Sequence, residues 1–353
     1  MTAHASLAPD PAPPLIELRG VSRRFGRRPD VVGRAAIALK LAKASPVVRA
    51  VDKVDLIVRK GEVVGLVGES GCGKSTLGRV VAGIIPPSDG EVLWRGRDRA
   101  RLTNAEQRGV HLAVQMVFQN PYASLNPRYS VSEIVSEAPR IHGLIKGDRS
   151  GFVDEQLRRA GLDPGLKRRY PHQFSGGQRQ RIAIARALAV APEFIICDEA
   201  VAALDVSIQA QIINLFMDLR EQLDLTYLFI SHDLGLVEHI SDRVAIMYLG
   251  RIVEEATTDE IFSRPNHPYT QALLAEVPRI ERTKRSFTAL KGELPSPLAP
   301  PPGCHFHPRC PYAMPRCRVE APPLVEIARA HKSACHLNDV AAPGAGMALQ
   351  AAV

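Results

Sequence analysis

One stretch restricts this chain more than any other. Glu62 to Val67 (EVVGLV) is an apolar run of the length of a buried strand, and it leads directly into Gly68-Glu-Ser-Gly-Cys-Gly73-Lys74-Ser75. Ser75 to Ile84 then has helical character. A strand, a glycine-rich turn and a helix in that order fit the pattern G-x-x-x-x-G-K-[ST]. The glycines let the backbone curl until successive N–H groups point at phosphate oxygens. Lys74 neutralises charge on the β and γ positions, and the Ser75 hydroxyl ligates Mg²⁺. On its own the motif leaves a kinase, a GTPase, a helicase or a transport ATPase open.

Strand patterns recur at Leu15 to Val21, Val51 to Val58, Phe194 to Cys197, Tyr227 to Ile230 and Val244 to Tyr248. Between them, Gln178 to Val190 reads as a helix stopped by Pro192. Asp205 can cap a further helix whose Ile208, Ile212, Leu215, Phe216 and Leu219 form one apolar face. Alternating strands and helices imply an α/β fold with a mostly parallel sheet and helices on its faces. Gly26 to Val48 has no clear pattern and reads as an extended loop. From about Asn120 to Phe174 the composition shifts to short amphipathic pieces, which fits a small helical insertion. Beyond about Pro265 the chain turns proline-rich, which marks a boundary, and residues 341–353 read as a disordered Ala/Gly tail.

A length of 353 residues suggests roughly two domains. Residues 1–14 lack a basic run followed by an apolar core, so they read as a loose tail and not as an export signal. No stretch approaches the ~18 uncharged apolar residues of a membrane span. The net charge of +8 could favour nucleic acid. The basic residues are scattered, however, and no helix carries a dense basic stripe, so nucleic acid is not expected as a partner. Six cysteines without an export signal argue against a disulfide framework.

Two further groups carry chemistry. Asp198 and Glu199 end the apolar strand that starts at Phe194. An acidic residue there can hold the Mg²⁺ shell, and an adjacent Glu can orient and polarise an attacking water. Two solvated carboxylates at a strand end are the plainer alternative. Ser175-Gly176-Gly177-Gln178 precedes a helix, where unpaired N–H groups and the dipole form a second anion site. A simply capped helix accounts for that pattern equally well.

Taken in order, the motifs resemble the nucleotide-binding subunit of an ABC transporter over about residues 15–340. GESGCGKST resembles Walker A, which puts Gly68, Ser70, Gly71, Cys72, Gly73, Lys74, Ser75 and Thr76 among the nucleotide-binding residues. FIICDE resembles Walker B, and FSGGQRQR is similar to the ABC signature, with Ser175, Gly177 and Gln178. Gln119 in MVFQNP sits at the Q-loop, Asp205 in AALD at the D-loop and His232 in ISHD at the switch histidine. The resemblance implies Glu199 as general base and His232 as γ-phosphate sensor. Gln119 would link Mg²⁺ and water to the transmembrane subunits, and Phe25 in SRRFG would stack on adenine. The implied fold is that of a P-loop NTPase, a RecA-like core with an antiparallel β subdomain over residues 15–264 and a helical subdomain at about 120–180. A small Cys-rich extension would follow over 265–340. Ala202 and Ala200 depart from the family pattern, which usually has a small hydroxyl residue and a Pro there; neither removes a group needed for hydrolysis.

FQNPYASLNPR, IMYLGRIVE and HPYTQALL resemble the oligopeptide/dipeptide importer ATPases, and GESGCGKSTLGR looks like the second of their two ATPase subunits. This implies a heterodimer that sandwiches ATP between Walker A of one subunit and the signature of the other. Closure and reopening would drive two permeases from the cytoplasmic face of the membrane, with an extracytoplasmic solute-binding protein delivering peptide. Similar ATPases serve nickel, glutathione or other small solutes. A soluble ABC ATPase acting on nucleic acid would carry a coiled-coil insertion or two fused cassettes. Cys304, Cys310, Cys317 and Cys335 are spaced C-x5-C-x6-C-x17-C, which by itself leaves zinc, an iron–sulfur cluster and free thiols open. GCHFHPRCPYAMPRC followed by HKSACH is similar to the importer extension whose four cysteines bind a [4Fe–4S] cluster, so that cluster is the expectation. His305, His307, His331 and His336 keep a mixed His/Cys site as an alternative.

Overall fold

The computed structural model describes residues 13–26, 47–276 and 292–340. The rest of the expected N-terminal tail, most of the expected loop after Gly26 and the expected tail 341–353 lie outside them.

The chain opens with β1 (Ile16–Phe25) and β2 (Val48–Val58), an antiparallel pair. β3 (Val63–Val67) runs into the glycine turn and α1 (Lys74–Ala82). β4 (Asp89–Trp94) and β5 (Arg97–Asp98) return beside β1, completing a four-stranded sheet in the order β2-β1-β4-β5. After α2 (Asn104–Ala113) and β6 (Val114–Val117) come α3 (Pro121–Ser124), α4 (Val131–Ile141) and α5 (Arg149–Arg159). These last three pack on α6 (Gly176–Leu188), and they lie within residues 120–174, where the composition suggests a small helical insertion. Then β7 (Phe194–Asp198), α7 (Val206–Leu223), β8 (Thr226–Ser231), α8 (Leu234–Ile240), β9 (Arg243–Tyr248) and β10 (Arg251–Thr257) follow. The described chain closes with α9 (Thr258–Ser263), α10 (Pro268–Ala275), β11 (Val325–Ala328) and β12 (His331–Ser333).

The larger sheet has the order β11-β12-β10-β9-β3-β8-β7-β6. From β9 to β6 every pair is parallel, and the rest are antiparallel. Every residue of β3, β7, β8 and β9 is buried, as expected of parallel strands covered on both faces. The alternation along them divides the core in two. Val63, Ile195, Tyr227 and Tyr248 pack toward the helical side, while Leu66, Ile196, Leu228 and Met247 pack with β1, β2 and α1.

The C-terminal segment does not stand apart from this sheet. β12 pairs with β10, setting Ser333 opposite Glu254, so the β11–β12 hairpin covers what would otherwise be an open edge. No helix among the described residues is long and apolar enough to cross a membrane.

Candidate functional site

The turn between β3 and α1 opens onto a cavity of about 490 Å³, lined by Ser70 to Thr76 together with Phe25, Gln119 and Glu199. Two glycines are required by close packing. A Cβ on Gly68 would lie 2.1 Å from the Met247 carbonyl oxygen, and one on Gly73, where φ is +114°, would lie 2.0 Å from that of Ala50. The turn is thereby seated on β9 and β2. Lys74 is 4% exposed, and its ammonium donates to the carbonyls of Gly68 (2.6 Å) and Glu69 (3.0 Å). The Cys72 side chain is buried beneath the turn, where burial pushes its thiol up. What Cys72 offers a ligand is therefore backbone.

Ser75 Oγ donates to Asp198 Oδ1 at 2.7 Å, and burial holds the Asp198 carboxyl above its ordinary range. A hydroxyl and a desolvated carboxylate side by side fit Mg²⁺, which takes most of its remaining ligands from phosphate and water. Glu199 has φ +48°, a sparsely populated conformation for a residue with a Cβ. Its N–H donates to Ile230 O at 3.0 Å, so β8 holds this turn in place. The Glu199 carboxylate is the meeting point of two side chains from elsewhere in the chain. Gln119 Nε2 donates to Oε2 at 2.7 Å, and His232 Nδ1 lies 3.5 Å from Oε1. Phe25, at the end of β1, is 39% exposed, with the Arg23 guanidinium 4.7 Å from its ring centre.

Ser175, Gly177, Gln178 and Asp205 do not line this cavity. Ser175 and Gln178 form a capping box on α6: the Ser175 N–H donates to Gln178 Oε1 (3.0 Å) and the Gln178 N–H to Ser175 Oγ (3.3 Å). Asp205 occupies the N-cap position of α7, but its side chain makes no capping bond, which corrects the expectation that it caps the helix.

Sequence reasoning missed the groups that hold Glu69, the second residue of the turn. Tyr269 Oη accepts its N–H at 2.9 Å, and Arg309 Nη1 donates to its carboxylate oxygens at 2.8 and 3.1 Å. HPYTQALL was legible as a mark of lineage. Nothing in it shows that its Tyr lies against a turn 200 residues earlier.

The expected [4Fe–4S] cluster is corrected. Among the described residues no group of three or more His, Cys, Asp or Glu could hold a metal ion, which removes the zinc and mixed His/Cys alternatives as well. Cys304, Cys310, Cys317 and Cys335 do line one cavity, but its volume is about 10 Å³, room for no more than about one water. Burial pushes the thiols of Cys304 and Cys310 up, and that of Cys335 up to about 11.

Comparison with known proteins gives the following. A family model described as ABC transporter matches residues 51–202, and one described as oligopeptide/dipeptide transporter, C-terminal region, matches residues 253–317. The chain is 50% identical over 328 residues to the oligopeptide transport ATP-binding protein AppF of Bacillus subtilis (strain 168), covering 92% of this chain and 97% of that protein. It is 51% identical over 299 residues to the probable peptide ABC transporter ATP-binding protein y4tS of Sinorhizobium fredii, covering 84% and 85%. Its fold is similar to the dimeric ATP-binding cassette MJ0796 in a post-hydrolysis state bound to ADP and Pi. That match has a TM-score of 0.58 and 27% identity, covering 69% of this chain and 98% of the other.

Proposed function

The chain belongs to the oligopeptide-transport branch of the ABC transporter ATP-binding proteins, and on that premise we propose that it hydrolyses ATP at the β3–α1 cavity to power import of di- or oligopeptides. The observation that carries this reading is the convergence of Gln119 and His232 on the one carboxylate of Glu199, beside the phosphate-binding turn.

The ATP phosphates lie on the N–H groups of the turn and the positive end of α1, with Lys74 neutralising the β and γ oxygens and Phe25 against the adenine. Ser75 and Asp198, with Gln119 beside them, would hold Mg²⁺, which would supply charge neutralisation at the phosphate oxygens. Glu199 takes a proton from the attacking water, Gln119 orients that carboxylate, and His232 contacts the γ-phosphate. Ser175, Gly177, Gln178 and Asp205 lie away from their own chain's cavity, which suits them to the ATP of a second subunit. We therefore read the working unit as a heterodimer of ATPase subunits docked on two permeases at the cytoplasmic face of the membrane. An extracytoplasmic solute-binding protein supplies the peptide. Residues 15–264 form the ATPase unit in this reading, and 265–340 the extension.

Glu199→Gln is expected to bind ATP with unchanged affinity while steady-state hydrolysis falls ~10²- to 10³-fold. The ATP-bound dimer should then accumulate in size-exclusion chromatography. Undiminished turnover would remove Glu199 as the general base. The cargo is tested separately, by ATP-driven uptake of a labelled tripeptide into vesicles that carry the assembled transporter; failure with peptide but uptake of nickel or glutathione would reassign it.

A further inference from the structure

We infer that Arg309, in the C-terminal extension, is a positioning residue for ATP binding, acting through Glu69 on Lys74. This rests on the β3–α1 cavity being the ATP site.

Glu69 is held at three points. Its N–H donates to Tyr269 Oη at 2.9 Å, its carbonyl accepts from Lys74 Nζ at 3.0 Å, and its carboxylate accepts from Arg309 Nη1 at 2.8 and 3.1 Å. Two of these three partners come from beyond the strands of the nucleotide fold, and Arg309 lies 240 residues from the residue it grips. The pair is largely removed from water, with side-chain exposures of 5% for Arg309 and 24% for Glu69.

Arg309 is itself fixed in place. Its N–H donates to Phe306 O at 3.0 Å. Phe306 is buried against Tyr248 and Tyr269, with ring centres 5.3 and 5.4 Å away. The guanidinium stands 5.9 Å from the Tyr248 ring centre. A rigid aromatic cluster thus presents one cation to the turn.

Two physical consequences follow. A glutamate inside a turn that receives phosphates repels them, and a guanidinium on that carboxylate cancels the repulsion at short range and low exposure. Holding Glu69 also holds the carbonyl that directs the Lys74 ammonium. Losing the cation therefore leaves a negative charge beside the phosphates and removes one of the three holds on the residue whose carbonyl helps direct Lys74.

The test is a titration of the full chain with a fluorescent ATP analogue. Arg309→Gln should weaken binding about tenfold, and Arg309→Lys should recover most of that loss because it restores the charge without the fork. In a Glu69→Gln background the same Arg309→Gln change should shift affinity less than about threefold, because the charge it compensates is gone. An unchanged affinity in Arg309→Gln, or an equal loss in both backgrounds, overturns the inference. Should Arg309→Gln not fold, Arg309→Met, which keeps the apolar stem packed against Tyr248 while removing the charge, is measured in both backgrounds instead. A wild-type chain that binds no ATP would instead overturn the assignment of the cavity.

Discussion

Glu199 combines a positive φ of 48° with a carboxylate that collects Gln119 and His232, so the strained backbone of this chain falls where the chemistry is proposed. A second residue under constraint is His267, 1% exposed, whose Nδ1 accepts the Tyr269 N–H at 3.0 Å. Burial lowers its pKa to about 4 from the ordinary 6.5, outweighing the attraction of Glu254. The sign follows from which state binds the proton. Above about pH 6.5 the ring is neutral folded and unfolded, and stability is complete; between 6.5 and 4 only the unfolded chain takes up the proton, so stability falls. The loss is on the order of 3 kcal/mol. Urea denaturation at stepwise pH should show this decline, and His267→Asn, whose Oδ1 can accept the same N–H, should flatten it. An unchanged slope would assign the decline to other groups.

α4 and α6 begin with the same device, a Ser whose side chain caps the helix and a Glu or Gln three residues on that answers it. Ser130→Ala and Ser175→Ala should each cost about 1 kcal/mol of stability, read from urea midpoints. Their functional consequences should differ. Ser175 belongs to the segment proposed to meet the ATP of the neighbouring subunit, so Ser175→Ala should lower hydrolysis by the assembled transporter about tenfold or more, while Ser130→Ala leaves it near wild type. Equal activities in the two variants would reduce Ser175 to a helix cap.

The extension is joined to the rest of the protein by a sheet edge, an aromatic cluster and a buried carboxylate. β12 pairs with β10, and Phe306 packs on Tyr248. Glu254, with its side chain 0% exposed, accepts the N–H groups of Asn266 (2.7 Å) and His267 (3.0 Å) and pairs with His331 Nε2 (2.7 Å). Ending the chain at residue 264 would strip these partners from Glu254, open the β10 edge and bare Tyr248. Both a buried carboxylate without partners and an open strand edge are costly. The truncated chain should aggregate, or melt at least about 10 °C lower. A 264-residue chain that melts like the full one would make the extension an independent unit.

Whatever depends on contiguous residues can be read directly along the chain. The glycine turn is legible because its pattern occupies eight or nine successive backbone positions, and the buried strands are legible because their burial shows as unbroken apolar runs. The helical insertion and the Ser175 cap are local in the same sense. That Gln119 and His232 meet at Glu199, that Arg309 and Tyr269 hold Glu69, and that the C-terminal hairpin continues the central sheet depends on how distant segments pack together. The four cysteines are a further case, because their spacing is compatible with a ligand set while the folded chain leaves a cavity of only about 10 Å³ between them. The physical reason is common to these cases. A local pattern specifies a backbone conformation, whereas a contact between residues far apart in the chain is specified by strand order, register and the packing of both faces of the sheet, which no short motif contains.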